Sequence, residues 1–301
     1  MSDHPHLDTL IAVAAQHPQW HWYAIADSAQ DKSLPAALAP AGAGVRCLLG
    51  ATQGSPLAEQ SPHLVRLNPP SHGSAAWQWI ARTAPRKPCL TVLASTLPFD
   101  ALFGQLKQFT EIRLPDDYDM FFGFWDPAIL GTLIGQPDDQ TLHVKGPVFD
   151  AEQRRMLFGG LEGWWYWDRD GQLHAADVGT DAPPVRLAAP LMLSQAQVDD
   201  LVEAGVPDHV LYFVDLNQPH LLRDIPERQH YAYVEQAVNG ARAVGLTGMR
   251  DLVNYVCMTL IYKERWYSDA RITELLARVK RGELAFDDAI GLLPSSKPDE
   301  Q

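Results

Sequence analysis

The sequence predicts two lobes, an N-terminal α/β lobe with a mixed sheet over residues 1–188 and an all-helical C-terminal lobe over residues 189–301. Two observations predict this α+β or α/β fold class. Before a proline-rich connector at residues 179–190, short apolar segments alternate with turn-rich or helical connections, as in a sheet layered with helices. After that connector, apolar residues recur at the spacing of amphipathic helices.

Five segments of the N-terminal lobe have the composition of β-strands, because β-branched, aliphatic and aromatic residues dominate them. They are residues 22–26, 45–49, 63–67, 90–93 and 120–125. The last segment contains Phe121, Phe122, Phe124 and Trp125, so aromatic side chains would cover both faces of that strand. Such a strand is buried on both sides, and we expect it at the centre of the sheet.

Helices and a hairpin connect these strands. Apolar residues at positions 99, 102, 103, 106 and 109 share one face of a helix. Asp126 suits the N-cap of another helix and Pro127 its first position, because the carboxylate accepts first-turn amides and proline presets φ. Residues 163–175 are interpreted as a hairpin with an Asp-Gly turn. Asp168 and Asp170 also resemble the start of a calcium loop, but the remaining ligands of such a loop are missing.

The C-terminal lobe shows helix signals throughout. Ser194 and Gln197 have the spacing of a capping box, in which each side chain bonds the other residue's backbone amide. Three apolar stripes follow, within residues 252–261, 272–279 and 286–293. Each stripe is interpreted as the core-facing side of a helix.

The composition excludes several classes of partner. The chain has 37 acidic and 24 basic residues, a net charge of −13, whereas nucleic acids and anionic membranes attract basic surfaces. No apolar run approaches the roughly 18 residues of a membrane span, and the first residues lack the pattern of a signal peptide. The three cysteines are widely spaced and form no disulfide pattern, so we expect a cytoplasmic protein in a reducing compartment.

Motifs for catalysis or cofactor binding are missing from the sequence. It contains no nucleophile elbow, no zinc-protease motif, no phosphate-binding loop and no dinucleotide fingerprint. Four histidines lie within the first 21 residues, but no third ligand has a fixed position near them, so we predict no metal. The acidic run Asp116, Asp117 and Asp119 is interpreted as a turn rather than as paired catalytic carboxylates. The sequence therefore predicts neither an enzyme nor a cofactor.

Four stretches, in order, resemble the effector-adaptor chaperones of type VI secretion systems, which share domain of unknown function 4123. Residues 23–27 are similar to the family's opening strand, which ends on Asp, and residues 96–107 to its helix entry. Residues 122–130 resemble its most specific motif, an aromatic pair followed by Asp-Pro and an aliphatic helix start. Residues 146–148 match its Gly-Pro-aliphatic step. The likeness covers about residues 20–178, and the helical remainder resembles the second lobe of these chaperones.

The resemblance implies binding without catalysis. Proteins of this family hold a toxic effector in the cytoplasm and help to load it onto the spike protein VgrG. The expected partners are therefore a secreted effector and VgrG, with no nucleic acid and no membrane. Gly123 and Ala128 stand where the family often has arginine, so any charge contact of those arginines does not carry over. The candidate partner-binding residues are Tyr23, Asp27, Phe122, Phe124, Trp125, Asp126, Pro127, Leu130, Gly146 and Pro147.

Two other functions stay open on the sequence. A small-molecule hydrolase would bring His, Asp and Ser side chains with shifted pKa values into one pocket. An immunity or scaffold protein would bind a toxin to neutralise it rather than to deliver it. Such a protein would block the toxin directly and would be dispensable for secretion.

Overall fold

A computed structural model describes residues 4–40, 42, 44–179 and 182–295. Two residues of the predicted connector, Thr180 and Asp181, lie outside the described residues. The chain divides into two compact units, Met1–Leu201 and Val202–Gln301. The predicted fold class is confirmed, because the first unit combines helices with an antiparallel sheet and the second is helical.

The described residues form nine β-strands, all in the first unit. In chain order they are β1 (His21–Asp27), β2 (Val45–Cys47), β3 (Pro62–Leu67), β4 (Leu90–Ser95), β5 (Glu111–Arg113), β6 (Asp119–Phe121), β7 (Leu161–Trp167), β8 (Leu173–Ala176) and β9 (Leu191–Met192). Six of them form an antiparallel sheet in the order β2-β3-β1-β4-β7-β8. The other three form a small sheet in the order β6-β5-β9, in which β9 runs parallel to β5. The predicted hairpin is confirmed as β7 and β8.

The expectation of a central strand at residues 120–125 is wrong. Only the first two of these residues are in a strand, and β6 pairs with β5 alone at the edge of the small sheet. The chain then turns, and the amide of Asp126 donates to the carbonyl of Gly123 at 3.0 Å. Phe122, Phe124 and Trp125 are buried all the same, because the turn directs them into the core. Aromatic composition predicted their burial but not the backbone conformation that achieves it.

The described residues also form twelve α-helices. They are α1 (Pro5–Gln16), α2 (Ala75–Thr83), α3 (Phe99–Lys107), α4 (Pro127–Ile134), α5 (Ala151–Leu157), α6 (Gln195–Ala204), α7 (Val206–Asn217), α8 (His230–Val244), α9 (Met249–Tyr262), α10 (Glu264–Ser268), α11 (Ala270–Lys280) and α12 (Phe286–Gly291). The cap of α4 is confirmed, since Asp126 Oδ1 accepts from the amide of Ala128 at 2.9 Å. The capping box of α6 is confirmed by reciprocal bonds between Ser194 and Gln197.

Both faces of the six-stranded sheet are buried, so the first unit has two cores. On one face, Tyr23, Leu93 and Trp164 pack with residues of α3, α4 and α5. On the other face, Trp22 and Trp165 pack with residues of α1 and α2. Adjacent residues of one strand thus enter different cores, as the alternation of side chains along a strand requires.

The second unit has a core of its own, formed by α7, α8, α9 and the shorter helices that follow. Val234, Leu252, Val256 and Ile272 lie at its centre with no measurable exposure. The stripes predicted at residues 252–261 and 272–279 contribute to this core, as expected. None of the described helices combines the length and the apolar composition needed to cross a membrane.

After α4 the chain returns along the end of that helix at Gly146. The amide of Val148 donates to the carbonyl of Thr132 at 3.1 Å, and the amide of Phe149 donates to the carbonyl of Leu133 at 3.0 Å. Gly146 has φ of +67°, and a Cβ atom there would overlap the carbonyl oxygen of Thr132. Only glycine fits this close approach, so the Gly-Pro step fixes the path of residues 144–149 against α4.

We expect Gly146→Ala to destabilise the first unit by more than the roughly 1–3 kcal/mol of a strained backbone conformation, because the methyl group also collides with a backbone carbonyl. Chemical unfolding measures this. Gly54→Ala is the matched control, since Gly54 has φ of +81° but open space where a methyl group would be added. Equal losses in the two variants would contradict the collision.

Candidate protein-binding site

One side-chain hydrogen bond joins the end of β1 to the turn formed by residues 122–125. Asp27 Oδ2 accepts from the indole Nε1 of Trp125 at 3.1 Å, and Asp27 Oδ1 accepts from the amide of Ala29 at 2.9 Å. The Trp125 ring packs edge-on against Phe124, with ring centroids 5.1 Å apart, and against Phe121, at 5.5 Å. The single carboxylate therefore holds both the turn after β1 and the turn before α4.

A second bond joins β1 to the loop before α3. The hydroxyl of Tyr23 donates to the carbonyl of Leu97 at 2.8 Å. Burial raises the pKa of Tyr23, and the nearby charge of Arg66 offsets this only in part. Tyr23 stays protonated at neutral pH and remains a donor. Together with the return of Gly146 along α4, these bonds bring the four stretches of the predicted motif into one part of the fold.

Most of the candidate partner-binding side chains point inward. Six are buried, two are half-buried and two are exposed. The buried ones are Tyr23, Phe122, Phe124, Trp125, Pro127 and Leu130, the half-buried ones Asp27 and Asp126, and the exposed ones Gly146 and Pro147. The inward-facing residues shape the fold around the site, and a direct contact of the motif with a partner stays a prediction.

The exposed apolar residues next to this motif lie on the β5–β6 hairpin and on β9. Tyr118, Met120, Phe121 and Met192, here called the hairpin surface, are between 44% and 68% exposed. The sequence pattern predicts Phe121 inside the sheet and does not distinguish Met192, whereas both are exposed in the structure. The acidic turn before β6 is the available signal, because it marks a short hairpin at an edge rather than a central strand.

The comparisons with known proteins bear on this region. Residues 22–143 match one family model. That model is described as a domain of unknown function, DUF4123. The match covers less than half of the chain and includes three of the four stretches of the motif, ending before Gly146. No curated protein and no solved structure matches the chain.

The loop after α4 and the β7–β8 hairpin meet at a polar cluster of Asp139, Asp168 and His174. Their nearest ligand atoms all lie within 4.8 Å of one another. His174 Nε2 lies 2.8 Å from Asp168 Oδ2, and its Nδ1 lies 3.3 Å from an oxygen of Asp138. The sequence does not reveal this cluster, because its members come from a loop and a hairpin whose spacing in the chain does not connect them.

The carboxylate oxygens of the cluster already accept hydrogen bonds from the protein. Asp168 Oδ1 accepts from the amides of Asp170 and Gln172, at 2.9 and 2.8 Å. Asp139 accepts from Thr141 through one oxygen and from the hydroxyl of Tyr166 through the other, the latter at 3.0 Å. A cation bound here would compete with these donors, so the bonding pattern is that of a structural network.

The charge state of His174 depends on opposing effects. Burial lowers its pKa, but the hydrogen bond to Asp168 and the charges of Asp139, Asp138 and Asp168 together outweigh burial and raise it. Asp138 in turn has a lowered pKa, mainly through its hydrogen bond from Gln136. The folded protein therefore favours a protonated imidazole between carboxylates.

A cleft of about 660 Å³ lies elsewhere in the first unit, beside β2 and β3. His63 lines it, and His63 Nδ1 lies 3.3 Å from Ser28 Oγ. Burial lowers the pKa of His63, although a hydrogen bond with the backbone of Ser61 and the charge of Asp27 oppose the shift. Ser28 is only 1% exposed and also reaches the carbonyl of Leu34 at 3.1 Å. This pair fastens the turn after β1 rather than presenting an accessible nucleophile.

We expect Trp125→Ala to lower the free energy of unfolding by roughly 3–5 kcal/mol, as truncation of a large buried aromatic residue does. Trp125→Phe is the matched control, since it keeps an aromatic ring and loses the bond to Asp27. Its loss should be smaller. An unchanged melting temperature for Trp125→Ala with loss of partner capture would instead assign Trp125 to a contact surface.

We expect stability to fall as the pH rises above about 6.5, because the pKa of His174 is raised in the folded protein. The resulting stabilisation is complete below the ordinary pKa of 6.5 and is lost as the pH rises through the folded-state pKa. The lowered pKa values of His6 and His63 instead reduce stability below pH 6.5, where the unfolded chain binds more protons at these residues than the folded protein does. Melting temperatures across this range measure the slope. His174→Gln should flatten it, and an identical slope in both proteins would refute the assignment.

Proposed function

We propose that this chain is a cytoplasmic adaptor that binds an effector of a type VI secretion system and helps to load it onto the spike protein VgrG. The observation that carries the proposal is the conjunction of the motif at residues 122–130 with exposed apolar residues directly beside it. The family match over residues 22–143 supports the resemblance on which the proposal rests. The activity is protein binding, without turnover.

An adaptor needs a contact surface for each partner, and each unit carries one candidate. The first unit has the hairpin surface. In the second unit, α7 buries Val210 and Val214 on one side. Tyr212, Phe213 and Leu216, here called the α7 stripe, are exposed on the same helix. A helix that is apolar on opposite sides is normally covered on both, so the α7 stripe suits a second protein partner.

Charge favours a protein partner with a basic segment. The net charge of −13 keeps the unbound adaptor soluble in spite of its exposed aromatic residues and attracts a cationic cargo at long range. The association rate should then fall as salt is added. The same charge repels nucleic acid and anionic membrane surfaces.

The experiment is to capture the tagged chain from its source cells while the secretion system is expressed and to identify the bound proteins by mass spectrometry. Recovery of a toxin-like protein in near-equal amount, with or without VgrG, supports the adaptor. A captured toxin that the chain inhibits, and whose secretion does not need the chain, supports the immunity alternative instead. Recovery of no protein favours the hydrolase alternative and calls for substrate screening.

We expect variants of the two surfaces to lose different partners. Met120→Ser combined with Phe121→Ser should reduce recovery of one partner, and Tyr212→Ser combined with Leu216→Ser should reduce recovery of the other. All four side chains are at least 44% exposed, so the fold should be retained. The measurement is quantitative mass spectrometry of the captured proteins.

Leu292→Ser is the matched control for these variants, because Leu292 is 57% exposed and belongs to neither surface. It should capture both partners as the unaltered chain does. Unchanged capture by both double variants would exclude these two surfaces as the contact sites.

A further inference from the structure

Strand β6 lies at the edge of the small sheet, so one of its two sides has no partner strand. Strands β5 and β6 pair with Ile112 opposite Met120. The amide of Phe122 donates to the carbonyl of Thr110 at 2.9 Å, and the amide of Leu114 donates to the carbonyl of Tyr118 at 2.8 Å. In an antiparallel pair only alternate residues exchange hydrogen bonds. The residues between them, Asp119 and Phe121, therefore direct their amides and carbonyls away from β5.

These backbone groups are available to another chain. Within the described ranges, none of the hydrogen bonds outside the β5–β6 pair uses the backbone of Asp119 or Phe121. Natural edge strands are usually protected by short length, charged side chains, proline, a bulge or a covering segment. Strand β6 is short, with three residues, but it contains neither lysine nor proline. The charge of Asp119 is neutralised by Arg113, which donates two bonds to it at 2.7 and 3.0 Å.

The side chains around this edge define what it can accept. Met120 and Phe121 are exposed, and beside them lies a cleft of about 340 Å³, lined by the apolar side chains of Leu48 and Leu49 and by the charged side chains of Lys107 and Glu111. Residues 111–121 carry four acidic side chains and one arginine, a net charge of −3. Apolar side chains of an added strand would fit the cleft, and lysine or arginine side chains would complement the acidic hairpin.

We infer that β6 binds an extended, cationic segment of a partner protein by strand addition, with apolar and basic residues alternating along that segment. This deepens the proposed function and relies on it for the identity of the partner. Asp119 and Phe121 would supply the backbone hydrogen bonds, and Met120, Phe121 and the cleft the apolar contacts. A second copy of the chain is disfavoured as the occupant, because two hairpins of charge −3 would then lie side by side.

The test uses the full chain and a short synthetic peptide of alternating valine and lysine. Its readouts are binding by fluorescence anisotropy and residue-resolved amide hydrogen exchange. We expect binding that weakens with salt and at least a tenfold slowing of exchange at the amides of Asp119 and Phe121. Met120, whose backbone faces β5, is the internal reference. No binding, or binding without slower exchange at these two amides, overturns the inference.

Matched peptides and variants separate strand addition from other modes of binding. A peptide of alternating valine and glutamate should bind at least tenfold more weakly, and so should a valine-lysine peptide interrupted by proline. Phe121→Lys should weaken binding of the valine-lysine peptide at least tenfold. Met192→Lys, on the opposite edge of the small sheet, should leave it unchanged. A dimer of the chain in sedimentation that Phe121→Lys dissociates would overturn the chosen occupant.

Peptide binding and effector capture together distinguish a failure of strand addition from a failure of the proposed function. Peptide binding with slower exchange at Asp119 and Phe121, but no effector captured from cells, would support the edge and reject the adaptor. Effector capture that survives Phe121→Lys, with unchanged exchange at both amides, would support the adaptor and reject the edge as its contact.

Discussion

The hydrogen bond between Asp27 and Trp125 is the constraint on which the first unit depends most. A buried indole needs an acceptor for its N–H group, and the carboxylate of Asp27 at the end of β1 supplies it. Meeting this need fixes the turn before α4, and α4 then fixes the return of the chain at Gly146. The rings of Phe121 and Phe124 pack against Trp125, so apolar contacts and the hydrogen bond meet at the same side chain.

The motif at residues 122–130 thus stabilises the fold, because most of its side chains are buried. Its buried side chains leave little surface for a partner, whereas the neighbouring hairpin projects Met120 and Phe121 outward. The buried turn follows directly after β6, which ends at Phe121, so it sets the position of that edge strand. The buried turn and the exposed edge strand are therefore two parts of one local structure.

Polar side chains join separate segments of the first unit at a second place as well. Asp168 bonds His174 and the amides of its own turn, and Asp139 bonds Tyr166, which ties the loop after α4 to the β7–β8 hairpin. Burial opposes the charge on His174, and three surrounding carboxylates maintain it. This region combines charges and hydrogen bonds, whereas the turn at Trp125 combines one hydrogen bond with apolar packing.

The sequence by itself determined the local features of this protein. Strands β1, β3 and β4, helix α3, the Asp126 cap and the Ser194–Gln197 box were all predictable, because composition, period and capping act within a few residues. The tertiary structure alone decided that residues 122–125 form a turn, that Asp27 meets Trp125, and that His174 lies among carboxylates. A strand and an inward turn bury aromatic side chains equally well, and only contacts between distant parts of the chain select one of them.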